Sequence, residues 1–369
     1  MTNSKQQSAL SKEQIDSVIA LYSAGQYQEA INQIKILNDL YPNTPFLFNL
    51  IGACYKSLGQ LEGSAKMFET AVNIKPDYSE AHKNLGITLK DLGHLDAAVE
   101  SLNRAIAIEP NYVDAHYNLA ITFKDLNQLD DAVKSYQKVI EINPNFAQAY
   151  NNLGNLLKDL GQTDEAIKNY QKAIEINPNF AHAYNNLGNA FKDLEKLIEA
   201  VSCYEKAIEG NPNFSEAHNN LGNAFKDLGE LDNAINSYQK ATHLDYKLYE
   251  AYYNLGVVFI QLKRFNKAIE SFQTAIEINP NFSQSYNNLG SALMSQGRVK
   301  ESIKYFKKAL DIDAVYVNAH NNLGIALTDL GELKAGAKSI ERAIEIDPDF
   351  AEAHNSLGNI FKKFKKRDK

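Results

Sequence analysis

Eight asparagines stand at one spacing. Asn84, Asn118, Asn152, Asn186, Asn220, Asn254, Asn288 and Asn322 follow each other every 34 residues, each directly before a leucine. A carboxamide both donates and accepts, so it can pair with a peptide bond. Neighbouring helices about 10 Å apart match roughly three residues of extended chain, so a carboxamide ladder of that pitch could hold a peptide backbone with little sequence preference. The competing reading is structural: the same asparagines tie adjacent helices together. In three consecutive repeats the flanking positions are asparagine too: Asn151 with Asn155, Asn185 with Asn189, and Asn219 with Asn223. Asparagine is a poor choice for a merely solvated helix face, which favours a binding patch. Duplication of a neutral sequence would give the same pattern. Tyr249 and Tyr253, in the irregular stretch Asp245–Lys267, are candidate anchors for a partner, because tyrosine is enriched at binding hot spots. A Lys-Asp pair recurs from Lys90-Asp91 to Lys226-Asp227 and reads as salt bridges between repeats.

The groups that usually carry catalysis are not arranged to do so. His82, His116, His218, His320 and His354 alternate in phase with Tyr150, Tyr184, Tyr252 and Tyr286, which marks a packing position. Cys54 and Cys203, the two cysteines, have no metal-ligand spacing and lie too far apart in the repeats to pair, which fits a reducing compartment. No glycine-rich phosphate loop or nucleophile elbow occurs. The expectation is a chain without catalytic residues, cofactor or metal, and not an enzyme.

The elements that must position these residues follow from the 34-residue period, which marks a stacked helical array. The expected organisation is a disordered polar tail at 1–10 and ten units starting at 11, 45, 79, 113, 147, 181, 215, 249, 283 and 317. A capping helix with a lysine-rich end follows at 351–369. In the unit at 79–112, Ala81, His82, Leu85, Gly86 and Leu89 form one apolar stripe, and Ala98, Val99, Leu102, Ala105 and Ile106 a second. Gly93 closes the first helix, Asp96 suits the positive start of the second, and Pro110 stops it.

The unit at 147–180 carries Tyr150, Leu153, Gly154, Leu157, Ala166, Tyr170, Ala173 and Pro178. This pattern resembles the tetratricopeptide repeat family, and its Asn-Leu-Gly-Asn stretch is similar to the repeats of O-linked N-acetylglucosamine transferases and related bacterial arrays. The resemblance implies an all-α fold, a right-handed superhelical solenoid whose first helices line a concave face. It implies a scaffold that binds a protein or peptide there. The alternative is a substrate-recruiting module for a separate glycosyltransferase or sulfotransferase. The family's carboxylate clamp for chaperone C-termini is not expected, since Lys83 has its first place but Ile87 occupies the second.

Composition narrows the partner. The net charge of −7 disfavours nucleic acid, which needs a basic stripe. No apolar run is long enough to span a bilayer, and the N-terminus MTNSKQQSALSKEQ lacks the apolar core of a signal peptide. A cytoplasmic location is expected.

Overall fold

The structure is a computed structural model that describes residues 10–367, with side chains as far as Lys363. The expected tail lies, Leu10 apart, outside the described residues, as do the side chains of Lys365, Lys366 and Arg367. The chain divides into two compact units, Met1–Pro178 and Asn179–Lys369. Among the described residues all regular structure is helical.

The first unit holds five helix pairs. These are α1 (Lys12–Ser23) with α2 (Tyr27–Leu40), α3 (Pro45–Ser57) with α4 (Leu61–Ile74), and α5 (Ser79–Asp91) with α6 (Leu95–Ile108). Then come α7 (Val113–Asp125) with α8 (Leu129–Ile142), and α9 (Ala147–Asp159) with α10 (Thr163–Ile176). The second unit holds α11 (Ala181–Asp193) with α12 (Leu197–Gly210), α13 (Ser215–Asp227) with α14 (Leu231–Leu244), and α15 (Tyr249–Gln261) with α16 (Phe265–Ile278). It ends with α17 (Ser283–Ser295) and α18 (Val299–Ile312), α19 (Val317–Asp329) and α20 (Leu333–Ile346), and a single α21 (Ala351–Arg367). Within each unit, the second helix of a pair packs on its own first helix and on the first helix of the next pair. First helices of successive pairs also touch, as α3 with α5 and α17 with α19.

The two helix ends are set by different local chemistry. First helices close through a residue in the left-handed conformation, Gly93 at φ 81° for example. There His94 N–H reaches back to the Leu89 carbonyl at 2.9 Å, which satisfies a carbonyl the helix leaves open. Lys263 and Glu195 replace the glycine yet keep positive φ, 56° and 59°. Second helices stop at a residue pushed into extended geometry, such as Glu109 (φ −130°, ψ 89°) before Pro110. Proline is dispensable: α14 and α18 stop at Asp245 and Asp313 with the same geometry although Tyr246 and Ala314 follow. Their carboxylates accept the backbone N–H two residues on, Lys247 at 2.9 Å and Val315 at 3.1 Å. Asn143, Asn211, Asn279 and Asp347 make the same turn.

The core is a series of sockets. In eight of the pairs a glycine inside the first helix is bare so that a second-helix side chain can lie on the backbone. A Cβ built on Gly154 would stand 2.6 Å from Tyr170, on Gly222 2.6 Å from Tyr238, and on Gly256 2.5 Å from Phe272. Gly52, Gly86, Gly188, Gly290 and Gly324 are filled likewise by Phe68, Leu102, Tyr204, Phe306 and Ile340. Each such fully buried side chain contributes about 1.5–3 kcal/mol. Both cysteines are free and buried, and burial pushes each thiol up to about 11.

Candidate functional site

The ladder asparagines bond to the preceding repeat. Asn84 Nδ2 donates to Asn49 Oδ1 at 3.0 Å, Asn220 to Asn185 at 3.1 Å, Asn254 to Asn219 at 3.1 Å and Asn322 to Asn287 at 2.9 Å. Where tyrosine replaces the acceptor the rung persists: Asn152 donates to the Tyr117 hydroxyl at 2.9 Å, and Asn288 to that of Tyr253 at 3.1 Å. Asn118 faces Lys83 in that place, a side chain with no acceptor, and turns to its own helix at the Asp114 carbonyl, 2.8 Å away. Asn186 is half-buried and also has a partner. The acceptors Asn49, Asn185 and Asn287 are buried, so an unmade rung would strand a polar group.

The flanking asparagines have a second task. The buried hydroxyl of Tyr170 donates to Asn155 Oδ1, that of Tyr204 to Asn189, and that of Tyr238 to Asn223, each at 2.8 Å. Burial pushes the Tyr204 and Tyr238 phenols far up, so they stay neutral donors. Asn151 is buried and donates to Asn152 at 3.3 Å. Each of the nine ladder and flanking asparagines of the three asparagine-rich repeats therefore has a protein partner. A carboxamide can make more than one hydrogen bond, so a single partner does not exhaust it.

Tyr249 and Tyr253 both stack edge-on to Phe282, at 5.1 Å between ring centres, and Tyr253 also meets Phe272 at 5.8 Å. Burial raises both phenols, and the Asn288 hydrogen bond partly lowers that of Tyr253. The exposed tyrosine of this stretch is Tyr246, with Lys247 lying 5.7 Å over its ring.

The histidines do more than fill space. In each of the five, Nε2 meets a carbonyl six residues earlier, as His116 to Pro110 at 2.9 Å and His218 to Pro212 at 3.2 Å. A carbonyl only accepts, so the ring donates and clamps the turn between repeats. The Lys-Asp stripe partly forms the expected bridges: Lys56 to Asp91 at 3.0 Å and Lys192 to Asp227 at 3.7 Å join successive repeats. Among the described residues no cluster of His, Cys, Asp or Glu could hold a metal ion, and no helix is long and apolar enough to cross a membrane.

A groove of about 710 Å³ opens in the first unit on the first-helix side. Tyr22, Phe46, Leu50 and Phe68 give it apolar walls, and the Asn49–Asn84 rung, Glu80, Lys56 and Lys83 give it polar ones. Ile19 at its edge is 40% exposed. The sequence reading missed this groove, because Tyr22 and Phe46 sit outside the regular repeat pattern.

Comparison with known proteins agrees with this architecture. Two solved structures share the fold along most of their length. They are the APC/C hetero-tetramer Cut9–Hcn1 (TM-score 0.52, 14% identity, 93% of this chain and 88% of that one) and Pseudomonas aeruginosa PilF (TM-score 0.50, 20% identity, 56% and 94%). YrrB, described as a TPR protein with an unusual peptide-binding site, aligns at TM-score 0.43 and 25% identity over 51% of this chain and 96% of that one. Among curated proteins no match is found. Repeat profiles match residues 47–78 (tetratricopeptide repeat) and 88–126 (TPR repeat). A third profile, the cilia and flagella-associated protein 70 C-terminal domain, matches residues 119–357, more than half of the chain. With helix pairs, glycine sockets and family profile in agreement, the chain belongs to the tetratricopeptide repeat proteins, in the family of that C-terminal domain.

Proposed function

We propose that this protein is a non-enzymatic scaffold that binds a partner segment along the first-helix side, with its anchor in the groove of the first unit. The observation that carries the reading is the joining of apolar walls to a rung. Tyr22, Phe46 and Leu50 can bury an apolar side chain, while Asn49 and Asn84 lie within reach of the backbone on either side. The groove is neither basic nor long and uniform, which suits a short extended peptide with one apolar anchor better than a nucleic acid. The asparagines from Asn151 to Asn223 are further candidate contacts, each taken within its own unit, and Tyr249 and Tyr253 serve chiefly as packing. A recruiting subunit for a separate glycosyltransferase or sulfotransferase would use the same groove, and the identity of the bound partner separates the two roles.

The test compares partner capture by wild type, by Ile19→Glu with Ala53→Arg, and by Asn152→Ala with Asn186→Ala and Asn220→Ala. Circular dichroism checks that all remain helical. The groove variant should lose the partner while the triple variant weakens it. Retention by the groove variant overturns the anchor.

A further inference from the structure

Second helices begin by one electrostatic rule, and three of them break it. α2, α4, α6, α8, α10, α12 and α14 each carry an acidic side chain in the first turn, where it suits the positive end of the helix dipole. α16 and α20 carry none, and the one in α18, Glu301, is bound by Arg298 at 2.8 Å. Lysine stands there instead. Lys300 and Lys334 hold the place of Asp96, Asp130 and Asp164, and Lys267 that of Asp131 and Glu165. A cation at a helix start costs stability, so local helix preference does not account for these lysines.

These cations stand free. Lys267, Lys300, Lys304, Lys334 and Lys338 are exposed, and none forms an ion pair among the described residues. Lysines of other second helices are bound by an acid three residues on, as Lys138 by Glu141, Lys172 by Glu175 and Lys206 by Glu209. Lys263 and Arg264 join Lys267 in lining a cleft of about 340 Å³ that can admit a carboxylate side chain. None of the large exposed apolar or aromatic side chains of the described residues lies on α16, α18 or α20. The surface therefore offers no stacking platform for a base and no wedge for a membrane.

The first unit carries the opposite row. Asp96 and Glu100 on α6, Asp130 on α8, and Asp164 and Glu165 on α10 are exposed, and none of them forms an ion pair among the described residues. Both rows advance by one repeat per step, so they share one pitch, and a lysine in each repeat can meet an acid in each repeat. We propose that the basic row on α16, α18 and α20 docks against the acidic row on α6, α8 and α10 of a second copy of this chain. Exposed charge pairs are individually weak and screened by salt, so the contact is reversible and needs several pairs at once. It goes beyond the groove reading and does not rest on it, because the surfaces share no residue.

Sedimentation velocity of the full chain tests this. The wild type should self-associate with rising concentration at about 50 mM salt and lose that association at about 500 mM. Lys300→Glu with Lys304→Glu and Lys334→Glu keeps only the acidic row. Asp96→Lys with Asp130→Lys and Asp164→Lys keeps only the basic one. Either triple variant alone should associate at least about tenfold more weakly. An equal mixture of the two should recover the association, because each supplies the row the other lacks. Circular dichroism is read on both, and the melting temperature of the lysine variant should stay or rise as acids return to the helix starts. A wild type that stays monomeric at low salt, association unchanged in either variant, or a mixture that stays monomeric overturns the proposal. So does a monomer that binds poly-glutamate or phosphatidylserine vesicles through the same lysines, which would make another anion the occupant.

Discussion

The front and back of the second unit solve the same packing problem with different side chains. In residues 181–248 the sockets at Gly188 and Gly222 hold Tyr204 and Tyr238, each tied by its hydroxyl to Asn189 or Asn223. In residues 249–350 the sockets hold Phe272, Phe306 and Ile340, and the places of those asparagines hold Val257, Ser291 and Ile325. Within this unit asparagine thus appears where a buried hydroxyl needs an acceptor and gives way where none exists. A composition that resembles a ligand-binding patch is in good part the requirement of a polar core.

The largest effect should come from overfilling a socket at the back of the unit. Gly290→Leu must displace Phe306 from the backbone, and overpacking of this kind costs about 1–3 kcal/mol or more, so its melting temperature should fall by several degrees or the back of the unit should unfold. Phe272→Tyr comes next. It buries a hydroxyl beside Val257, and an unsatisfied group of that kind costs about 1–3 kcal/mol. Adding Val257→Asn should recover most of the loss in denaturant titrations. A double variant no more stable than Phe272→Tyr alone would break the pairing rule.

Alkaline titration sharpens the contrast. Burial raises the Tyr204 and Tyr238 phenols above the ordinary value of about 10. The folded state therefore favours the neutral form, and this stabilisation is complete below pH 10 and lost as the unfolded chain ionises above it. Tyr204→Phe with Tyr238→Phe should move the alkaline unfolding midpoint upward, read by helicity against pH. The smallest effect is a repair. Asn321 is 4% exposed and its Oδ1 has no partner, because Ser356 stands where the next rung asparagine would donate. Ser356→Asn should complete the rung and add about 1 kcal/mol, as a higher denaturation midpoint.

Much of this was legible in the sequence, since period 34, glycine, proline and small-residue spacing constrain an all-helical array of pairs. Pro110 and Gly93 announced helix ends correctly, but the proline rule was incomplete. Asp245 and Asp313 end their helices through their own carboxylates, a two-residue interaction that periodicity does not display. The rungs were legible as a ladder, but their direction was not. The acceptor of Asn220 lies 35 residues back at Asn185, and only three-dimensional stacking reveals which flanking residue it meets. The pairing of Asn189 with Tyr204 was visible in principle as a correlated choice fifteen residues apart.

The two buried thiols have a practical corollary. Cys54 belongs to the first unit and Cys203 to the second, and each is buried and protonated in the folded chain. An alkylating reagent can reach either only when its own surroundings open. The chain therefore carries one intrinsic clock in each unit, and mass spectrometry of the two labelled peptides would time their breathing separately, without any engineered probe.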